Sequence, residues 1–337
     1  MTEQQSKRST LHDVAALAGV SYQTVSRVVN RHPNVAAKTR ARVLDAIRQL
    51  DYRPNQAAKV LATGRSHMLQ LIMFDIRYND PLPAMIFWAK QMGYTLVISE
   101  ITPFTSEDET LERLEELAAR MIDGLVIFSP YAFLPYDKLT ELCKGVPFVL
   151  VGTELGMKAP SVVFDQRHGT ELAIQHLLDL GHRHIAEIRG PQEHVDARVR
   201  HETFVKLLKA RGLTPGPSAE GDFEVPSGYE ATKRLLATDA PFTALFASND
   251  RMAVGALHAL CEHGLLVPRD VSLVGFDDMT EAAYLNPPLT TVRQDLNVIA
   301  QQSIEYVVAM IQNPRMPVQQ RALYPELITR RSTREIE

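Results

Sequence analysis

From residue 68 onward, short apolar runs alternate with amphipathic stretches. The runs fall into two sets: MLQLIMF, YTLVIS, GLVIF and PFVLVG, followed by SVVFD, HIAEIRG, TALFAS and VSLVGFDD. Stretches with helical periodicity, such as ERLEELAARMI and TELAIQHLLDLG, lie between the runs. This alternation predicts parallel sheets that are covered by helices on both faces. The two sets predict an α/β core of two doubly wound lobes.

A different pattern occupies residues 11–31, LHDVAALAGVSYQTVSRVVNR. Apolar residues recur there at helical spacing, first at Val14, Ala15, Leu17 and Ala18 and then at Val25, Val28 and Val29. Gly19 supplies the break, and Ser21 is a good N-cap for the second helix. A third helix over residues 36–50 presents one apolar face, formed by Val43, Leu44, Ile47 and Leu50. An all-α headpiece with a helix-turn-helix therefore precedes the core.

The second predicted helix carries polar side chains near its N-terminus, which is the end that a recognition helix inserts into the major groove. They are Tyr22, Gln23, Ser26 and Arg27. Charge is segregated in the same way, because residues 1–65 have 11 Lys and Arg against four Asp and Glu. The remainder of the chain carries a net charge of −11. A basic module on an acidic body favours attraction of DNA phosphates to the headpiece.

The chain also matches the pattern D-V-A-x-x-A-G-V-S-x-x-T-V-S-R-V-x-N, and it resembles the LacI/GalR family of bacterial repressors over its full length. The resemblance implies a DNA-binding domain at 1–54, a hinge helix at 55–65, and a core at 66–337 that binds an effector and dimerises. In the family the core is built like a periplasmic sugar-binding protein. We expect lobe 1 at about 66–164 and 294–322, and lobe 2 at about 165–293 and 323–337.

For the DNA contacts, the family implies that Tyr22, Gln23 and Arg27 read base edges beside Ser26. Contacts to phosphates are expected from Ser21, Thr24, Asn30, Thr39 and Asn55. In the hinge the family pattern places Ala57, Ala58 and Leu61 at the minor groove, where an apolar wedge kinks the duplex. The expected partner is a near-palindromic operator with a central CG step. The chain ends in RSTREIE without a leucine heptad tail, so we predict a homodimer.

Polar residues follow the strand-like runs, at the sheet edge where ligands bind in open parallel sheets. The family resemblance implies six effector residues at this edge, both polar and aromatic: Phe164, Arg200, Phe223, Asn249, Asp277 and Gln294. Phe223 is expected either to stack on a sugar or to belong to the ordinary core. We expect Asp250 and Asp278 to be structural, capping or pairing at helix starts. His182 and His184 are predicted to lie at the surface, where a strand begins.

Three departures from a lactose-responsive member of the family affect the identity of the effector. They are Gly152 in place of an aspartate, Asp196 in place of a serine, and a shorter loop at Asp75–Pro83. Because the first-lobe wall is reshaped, the effector need not be a galactoside. We expect a sugar or glycoside; the alternatives are a purine or another small metabolite. Release of DNA on effector binding is the commoner response among sugar-responsive relatives.

Several other classes of protein are disfavoured. Cys143 and Cys261 lie far apart without metal spacing, so we expect neither a disulfide nor a metal, and no cofactor is expected. No apolar leader or run of about 18 apolar residues occurs, which predicts a cytoplasmic protein without membrane contact. A sugar-binding receptor remains an alternative, but the basic head argues against it. No P-loop or nucleophile elbow is present, and we therefore expect no enzyme and no catalytic residue.

Overall fold

A computed structural model describes residues 9–29, 32–52, 64–74, 81–101, 107–119, 121–128, 136–238 and 240–336. The chain divides into two compact units, Met1–Ser66 and His67–Glu337. Some of the predicted DNA contacts lie outside the described residues, namely Asn30, Asn55, Ala57, Ala58 and Leu61. Most of the shortened loop at Asp75–Pro83 lies outside them as well.

The first unit contains three described helices, α1 (Leu11–Ala18), α2 (Tyr22–Val29) and α3 (Ala37–Gln49). Helix α1 begins with a capping box, in which Thr10 Oγ1 accepts from the Asp13 amide and the Asp13 carboxylate accepts from the Thr10 amide. Gly19 ends the helix at a φ of 60°, in the left-handed region that glycine adopts without strain. The Ser21 hydroxyl accepts from the Thr24 amide at 3.2 Å, so the predicted break and cap are both confirmed.

The headpiece core is smaller than the sequence pattern predicts. Its buried residues are Val14, Ala15, Ala18, Val25, Val28, Val43, Ala46 and Tyr52. Val29, Ile47 and Leu50 pack against this cluster and are only partly buried. Leu17 and Leu44, which were expected in the core, are 50% and 46% exposed. In a bundle of three short helices each helix buries one narrow stripe, and the wider apolar face extends beyond it.

In the second unit, the first sheet has the order β11-β5-β4-β3-β1-β2, and its registered pairs are all parallel. Its strands are β1 (Met68–Met73), β2 (Thr95–Glu100), β3 (Gly124–Phe128), β4 (Phe148–Val151), β5 (Ser161–Phe164) and β11 (Gln320–Leu323). The helices of this lobe are α4 (Leu82–Gln91), α5 (Glu107–Ala118), α6 (Tyr136–Leu142) and α11 (Leu296–Gln312). We call this part lobe 1.

The second sheet has the order β12-β10-β9-β8-β6-β7 and is parallel except for the antiparallel pair β10–β12. Its strands are β6 (Ile185–Arg189), β7 (Ser218–Glu220), β8 (Ala244–Ala247), β9 (Ser272–Asp277), β10 (Thr290–Arg293) and β12 (Glu326–Ile328). Four helices, α7 (Gln166–Asp179), α8 (Val195–Ala210), α9 (Val225–Leu236) and α10 (Asp250–Glu262), and a 3-10 helix (Thr280–Tyr284) complete lobe 2.

Each sheet is buried on both faces, because alternate side chains of a strand enter different apolar clusters. In β1, Leu69 and Leu71 pack in the cluster that includes α11, whereas Ile72 packs in the cluster of α5 and α6. Lobe 2 repeats this arrangement with one cluster under α9 and α10 and another under α7 and α8. The predicted fold of two doubly wound lobes is confirmed.

One grouping of a strand was wrong. The run SVVFD was grouped with the second set, but β5 pairs with β4 and β11 in lobe 1, whose expected bound was about residue 164. The last two strands divide between the lobes, with β11 in lobe 1 and β12 in lobe 2. Apolar alternation identifies buried strands without specifying their partners, so it does not reveal where the chain crosses between sheets.

His182 is not at the surface as predicted, since it is only 1% exposed. Its Nδ1 lies 2.9 Å from the Thr243 hydroxyl, and its Nε2 lies 2.9 Å from the Ser272 hydroxyl and 3.2 Å from the Arg334 carbonyl. The C-terminal segment also bonds to the sheet through Ser332, which accepts from the Leu273 amide at 2.7 Å. His182 therefore helps to attach the end of the chain to lobe 2.

This buried ring makes stability depend on pH. Burial lowers the pKa of His182, so below about pH 6.5 the unfolded chain takes up a proton that the folded chain resists. We expect the free energy of unfolding to fall as the pH drops from 7.5 to 5.5. His182→Ala should cost about 1–3 kcal/mol at pH 7.5 because it removes the buried ring and its hydrogen bonds to Thr243, Ser272 and Arg334, and it should flatten the pH dependence. Urea denaturation at both pH values measures this.

The exposed neighbour His184 provides the control. His184→Ala should change stability by less than about 0.5 kcal/mol and keep the pH slope. If His182→Ala retains the full pH slope of the parent protein, the assignment to His182 is wrong.

Candidate functional site

Helix α2 has an apolar face and an open face. Val25 and Val28 are buried against the other two helices, which turns Tyr22, Gln23 and Arg27 outward. The Tyr22 ring stacks on His12 with 4.8 Å between the ring centroids. These exposed side chains can donate to and accept from base edges in the major groove.

The predicted phosphate-contacting residues surround this face. Ser21 is exposed, and its hydroxyl lies 2.9 Å from the hydroxyl of the partly buried Thr24. Ser26 and Thr39 are also partly buried, with Thr39 in the first turn of α3. Arg42 donates to the Gly19 carbonyl at 3.3 Å, which ties α3 to the turn that orients α2.

In the second unit, a cavity lies between the two lobes at the carboxyl ends of the strands. Lobe 1 contributes Pro81, Phe128, Gly152 and Leu296 to its lining. Lobe 2 contributes His194, Asp196, Arg200, Phe223, Asn249, Arg251 and Asp277, and Gln294 lies where the chain crosses between the lobes. Five of the six predicted effector residues are thus brought together. The sixth, Phe164, lines a smaller crevice nearby with Gln166 and Val199.

Arg200 is the most constrained side chain of this cavity and is only 3% exposed. Its Nε donates to Gln166 Oε1 at 3.0 Å, and an Nη group donates to the Ser248 carbonyl. A second Nη lies 3.8 Å from Asp277 Oδ1, and the guanidinium lies 3.8 Å from the centre of the Phe276 ring. A buried cation requires this kind of pairing, because an unpaired charge in the interior is costly.

Asp277 and Gln294 complete a ring of polar contacts with Arg200, in which three links are hydrogen bonds and the fourth is the 3.8 Å ion pair between Arg200 and Asp277. Gln294 Nε2 donates to Asp277 Oδ1 at 2.8 Å, while Gln166 Nε2 donates to Gln294 Oε1 at 2.8 Å. We call these four residues, Gln166, Arg200, Asp277 and Gln294, the polar ring. It joins α7, α8, β9 and the crossover into lobe 1 through side chains alone.

The backbone at Asp277 and Asp278 is strained, with φ values of 110° and 56°. Asp278 fixes this turn because its carboxylate accepts from Arg293 at 2.7 Å and from Arg330 at 2.6 Å. The structural role expected for Asp278 is confirmed.

Asp250 is the second residue for which a structural role was predicted. It is 1% exposed, and it accepts from the Thr291 hydroxyl at 2.6 Å and from the Met279 amide at 2.9 Å. Burial, with a further contribution from the Asp277 carboxylate, raises the pKa of Asp250 to about 8. Asp250 therefore supports the turn that carries Asp277.

Asn249 and Phe223 form the opposite side of the cavity. Asn249 Oδ1 caps α10 by accepting from the Met252 amide at 2.9 Å, and its Nδ2 donates to the Phe223 carbonyl at 2.8 Å. The Phe223 ring lies edge-on to His194 at 5.4 Å and packs in the lobe 2 core while also lining the cavity. A Cβ at Gly190 would come within 2.5 Å of this ring, so only glycine leaves room for it.

Several lining residues were not predicted. Gln166 directly follows the cap residue Asp165 at the start of α7, and His194 directly precedes α8. Both positions lie at the carboxyl end of a strand, a signal that could have identified them. Asp196, one of the departures expected to affect the effector, lines the cavity one helical turn before Arg200; burial raises its pKa, and the Arg200 charge opposes that shift.

The described residues contain no group of His, Cys, Asp and Glu side chains that could hold a metal ion. Among those same residues, no helix has the length and apolar character needed to cross a bilayer.

Comparison with known proteins assigns both units. Residues 10–55 match the model of bacterial regulatory proteins of the lacI family, and residues 174–333 match a periplasmic binding protein-like domain. The chain is 34% identical to the lactose operon repressor of Escherichia coli K12 over 330 residues, which covers 97% of this chain and 91% of that protein. The chain belongs to the LacI family.

Two further similarities support this membership. The transcriptional repressor PurR of Haemophilus influenzae is 35% identical over 339 residues, covering 97% of this chain and 99% of that protein. The crystal structure of the lac repressor dimer bound to operator and the anti-inducer ONPF superposes with a TM-score of 0.89 at 33% identity. That match covers 97% of this chain and 100% of the other. Family members similar to this chain are thus DNA-binding repressors.

The raised pKa of Asp250 allows a test of its role in holding the turn that carries Asp277. A carboxyl group whose pKa is raised by folding loses stabilising free energy as the pH rises from its unfolded value of about 3.9 toward about 8. Asp250→Asn keeps the shape without the charge, so we expect it to remove part of the stability loss between pH 6 and pH 9. Urea denaturation at these pH values gives the comparison.

The exposed Asp179→Asn variant is the matched control and should keep the parental pH dependence. An unchanged loss of stability between pH 6 and pH 9 in Asp250→Asn would show that folding does not raise the pKa of Asp250.

Proposed function

We propose that the protein represses carbohydrate-utilisation genes and that a small sugar or glycoside, bound between its lobes, lowers its affinity for operator DNA. The observation that carries this proposal is the polar ring at the interlobe cavity, where a buried guanidinium and a carboxylate are fixed beside an aromatic ring. The protein acts as a homodimer in the cytoplasm, where its operator is located. We assign it no catalytic step.

The headpiece would bind the operator DNA. Tyr22, Gln23 and Arg27 project from the exposed face of α2 and would read base edges, with Ser26 beside them. Contacts with phosphates are assigned to Ser21, Thr24, Asn30, Thr39 and Asn55, and minor-groove contacts to Ala57, Ala58 and Leu61. Two such headpieces in a dimer fit a near-palindromic operator with a central CG step.

The interlobe cavity would bind the effector. A carboxylate can accept from two neighbouring hydroxyls of a sugar, while a guanidinium and an amide donate to its oxygens. Asp277, Arg200 and Asn249 provide these three groups, and Phe223 offers a ring for the apolar face of the sugar. Phe164 and Gln294 complete the proposed set. This chemistry favours a polyhydroxylated ligand over a purine.

The position of the polar ring would couple effector binding in the cavity to operator binding by the headpiece. Gln294 lies at a crossover between lobes, and it is bonded to residues that face the ligand. A ligand that touches both lobes and prefers one arrangement of them shifts the population toward that arrangement. The shift weakens operator binding when it changes the spacing of the two headpieces in the dimer.

Replacement of Arg27 tests the DNA contact. An arginine that is bidentate to guanine contributes about 1–3 kcal/mol of discrimination, so Arg27→Ala should weaken operator binding by about 5-fold to 150-fold. Binding to random DNA should change much less, because phosphates carry that affinity. Fluorescence anisotropy with the two DNAs measures both constants.

Lys38→Ala, at an exposed position of α3, is the control for loss of one positive charge. It should weaken binding to both DNAs by a similar factor. An Arg27→Ala variant that behaves in the same way would remove the base-reading role.

Replacement of Asp277 tests the effector contact. Asp277→Asn keeps an acceptor for Gln294 and tolerates the positive φ, but it removes the charge that pairs with Arg200 and with sugar hydroxyls. We expect effector affinity to fall by more than about tenfold, while operator affinity without effector stays within about threefold. Titrating the operator complex with sugar measures both.

Glu230→Ala, on the exposed side of α9, controls for a lost surface carboxylate and should leave the response unchanged. A normal response of Asp277→Asn at parental sugar concentrations would place the effector elsewhere.

A further inference from the structure

The cleft between the lobes continues beyond the cavity that contains the polar ring. A second cavity of about 690 Å³ adjoins it, and the two share Arg251, Asp277, Gln294 and Leu296 in their linings. We call them the inner and the outer cavity. The two cavities are therefore adjacent at Asp277 and Gln294, and a ligand bound to Asp277 in the inner cavity lies next to the outer one.

The outer cavity is lined by polar groups that the fold holds in place. Arg293 donates through its Nε to Asp278 at 2.7 Å, which orients the guanidinium. Its Nη groups take no part in that bond. Asp295 caps α11 with Oδ1, accepting from two amides at 3.0 and 3.1 Å. Thr280 adds an exposed hydroxyl at the start of the 3-10 helix. These groups can donate to and accept from the hydroxyls of a second sugar ring.

Charge restricts what can occupy the outer cavity. Its lining has the carboxyl groups of Asp277, Asp278, Glu281 and Asp295 beside Asp250, against the two guanidinium groups of Arg251 and Arg293. Arg251 is already engaged by Glu224, at 3.2 Å. An anionic extension such as a phosphate would meet an excess of like charge, which disfavours binding. A neutral extension rich in hydroxyl groups matches the lining.

We propose that the effector is a neutral disaccharide whose first ring lies against Arg200, Asn249 and Phe223, and whose second ring lies in the outer cavity against Thr280, Arg293 and Asp295. This inference rests on the proposed sugar-binding function and specifies its ligand. It excludes sugar phosphates and single-ring effectors. A cavity of this size falls in the range usual for small-molecule sites, about 300–1,000 Å³.

Calorimetry on the full-length protein tests the length and the charge of the ligand. The probes are cellobiose, maltose, lactose and melibiose, the monosaccharides glucose and galactose, glucose 6-phosphate, and hypoxanthine. At least one disaccharide should bind at least tenfold more tightly than its constituent monosaccharides, a difference of 1.4 kcal/mol. Glucose 6-phosphate should bind more weakly than that disaccharide.

A steric variant then locates the second ring. Thr280→Trp fills the outer cavity and should lower the affinity ratio of disaccharide to monosaccharide to about one, with monosaccharide binding unchanged. Ala283→Trp is the matched control, because Ala283 is exposed on the same 3-10 helix and lines neither cavity. It should keep the parental ratio.

The outcomes separate this inference from the proposed function. If a monosaccharide or glucose 6-phosphate binds more tightly than every disaccharide, or if Thr280→Trp keeps the parental ratio, the second-ring site is wrong while sugar binding stands. If only hypoxanthine binds, or none of the sugars binds, the proposed sugar-responsive function fails and this inference fails with it.

Discussion

The buried guanidinium of Arg200 is the constraint around which the core is organised. It is removed from solvent, and its charge is balanced by Asp277 at 3.8 Å together with bonds to Gln166 and Ser248. An interior charge is costly without partners, and the hydrogen bonds to Gln166 and Ser248 hold the guanidinium in place. The three segments that supply these partners, α7, the residue after β8, and β9, must therefore keep their relative positions, and a ligand that replaced or added a partner would act on all of them together.

The residues that bond to the turn at Asp277 and Asp278 explain how its strained backbone is maintained. The turn at Asp277 and Asp278 has positive φ angles, and it persists because Arg293, Arg330 and Asp250 bond to it from three directions. Asp250 in turn needs the absence of a side chain at Gly275, where a Cβ would lie 2.2 Å from its carboxylate. Strain at Asp277 is thus offset by a surrounding network that fixes the orientation of its carboxylate.

Much of this architecture could be predicted from the sequence, and the failures have physical causes. Alternating apolar runs predicted both sheets, because strands that are buried on both faces leave a strong local pattern. Which sheet β5 joins depends on non-local pairing, which leaves no local pattern. The burial of His182 depends on Thr243, Ser272 and Arg334, residues far apart in the chain that meet only after folding. Five of the six predicted effector residues line one cavity, whereas the outer cavity became visible only in three dimensions.

The central claim is that ligand in the interlobe cavity and operator on the headpiece bind to different arrangements of one molecule. The most direct measurement is the pair of dissociation constants, that of the operator with and without saturating disaccharide and that of the disaccharide with and without operator. Linkage requires the two affinities to change by the same factor, and couplings of this kind are usually about 5-fold to 150-fold. We expect equal factors above fivefold, with each ligand weakening the other. A disaccharide that binds the cavity and leaves operator affinity unchanged would contradict the coupling.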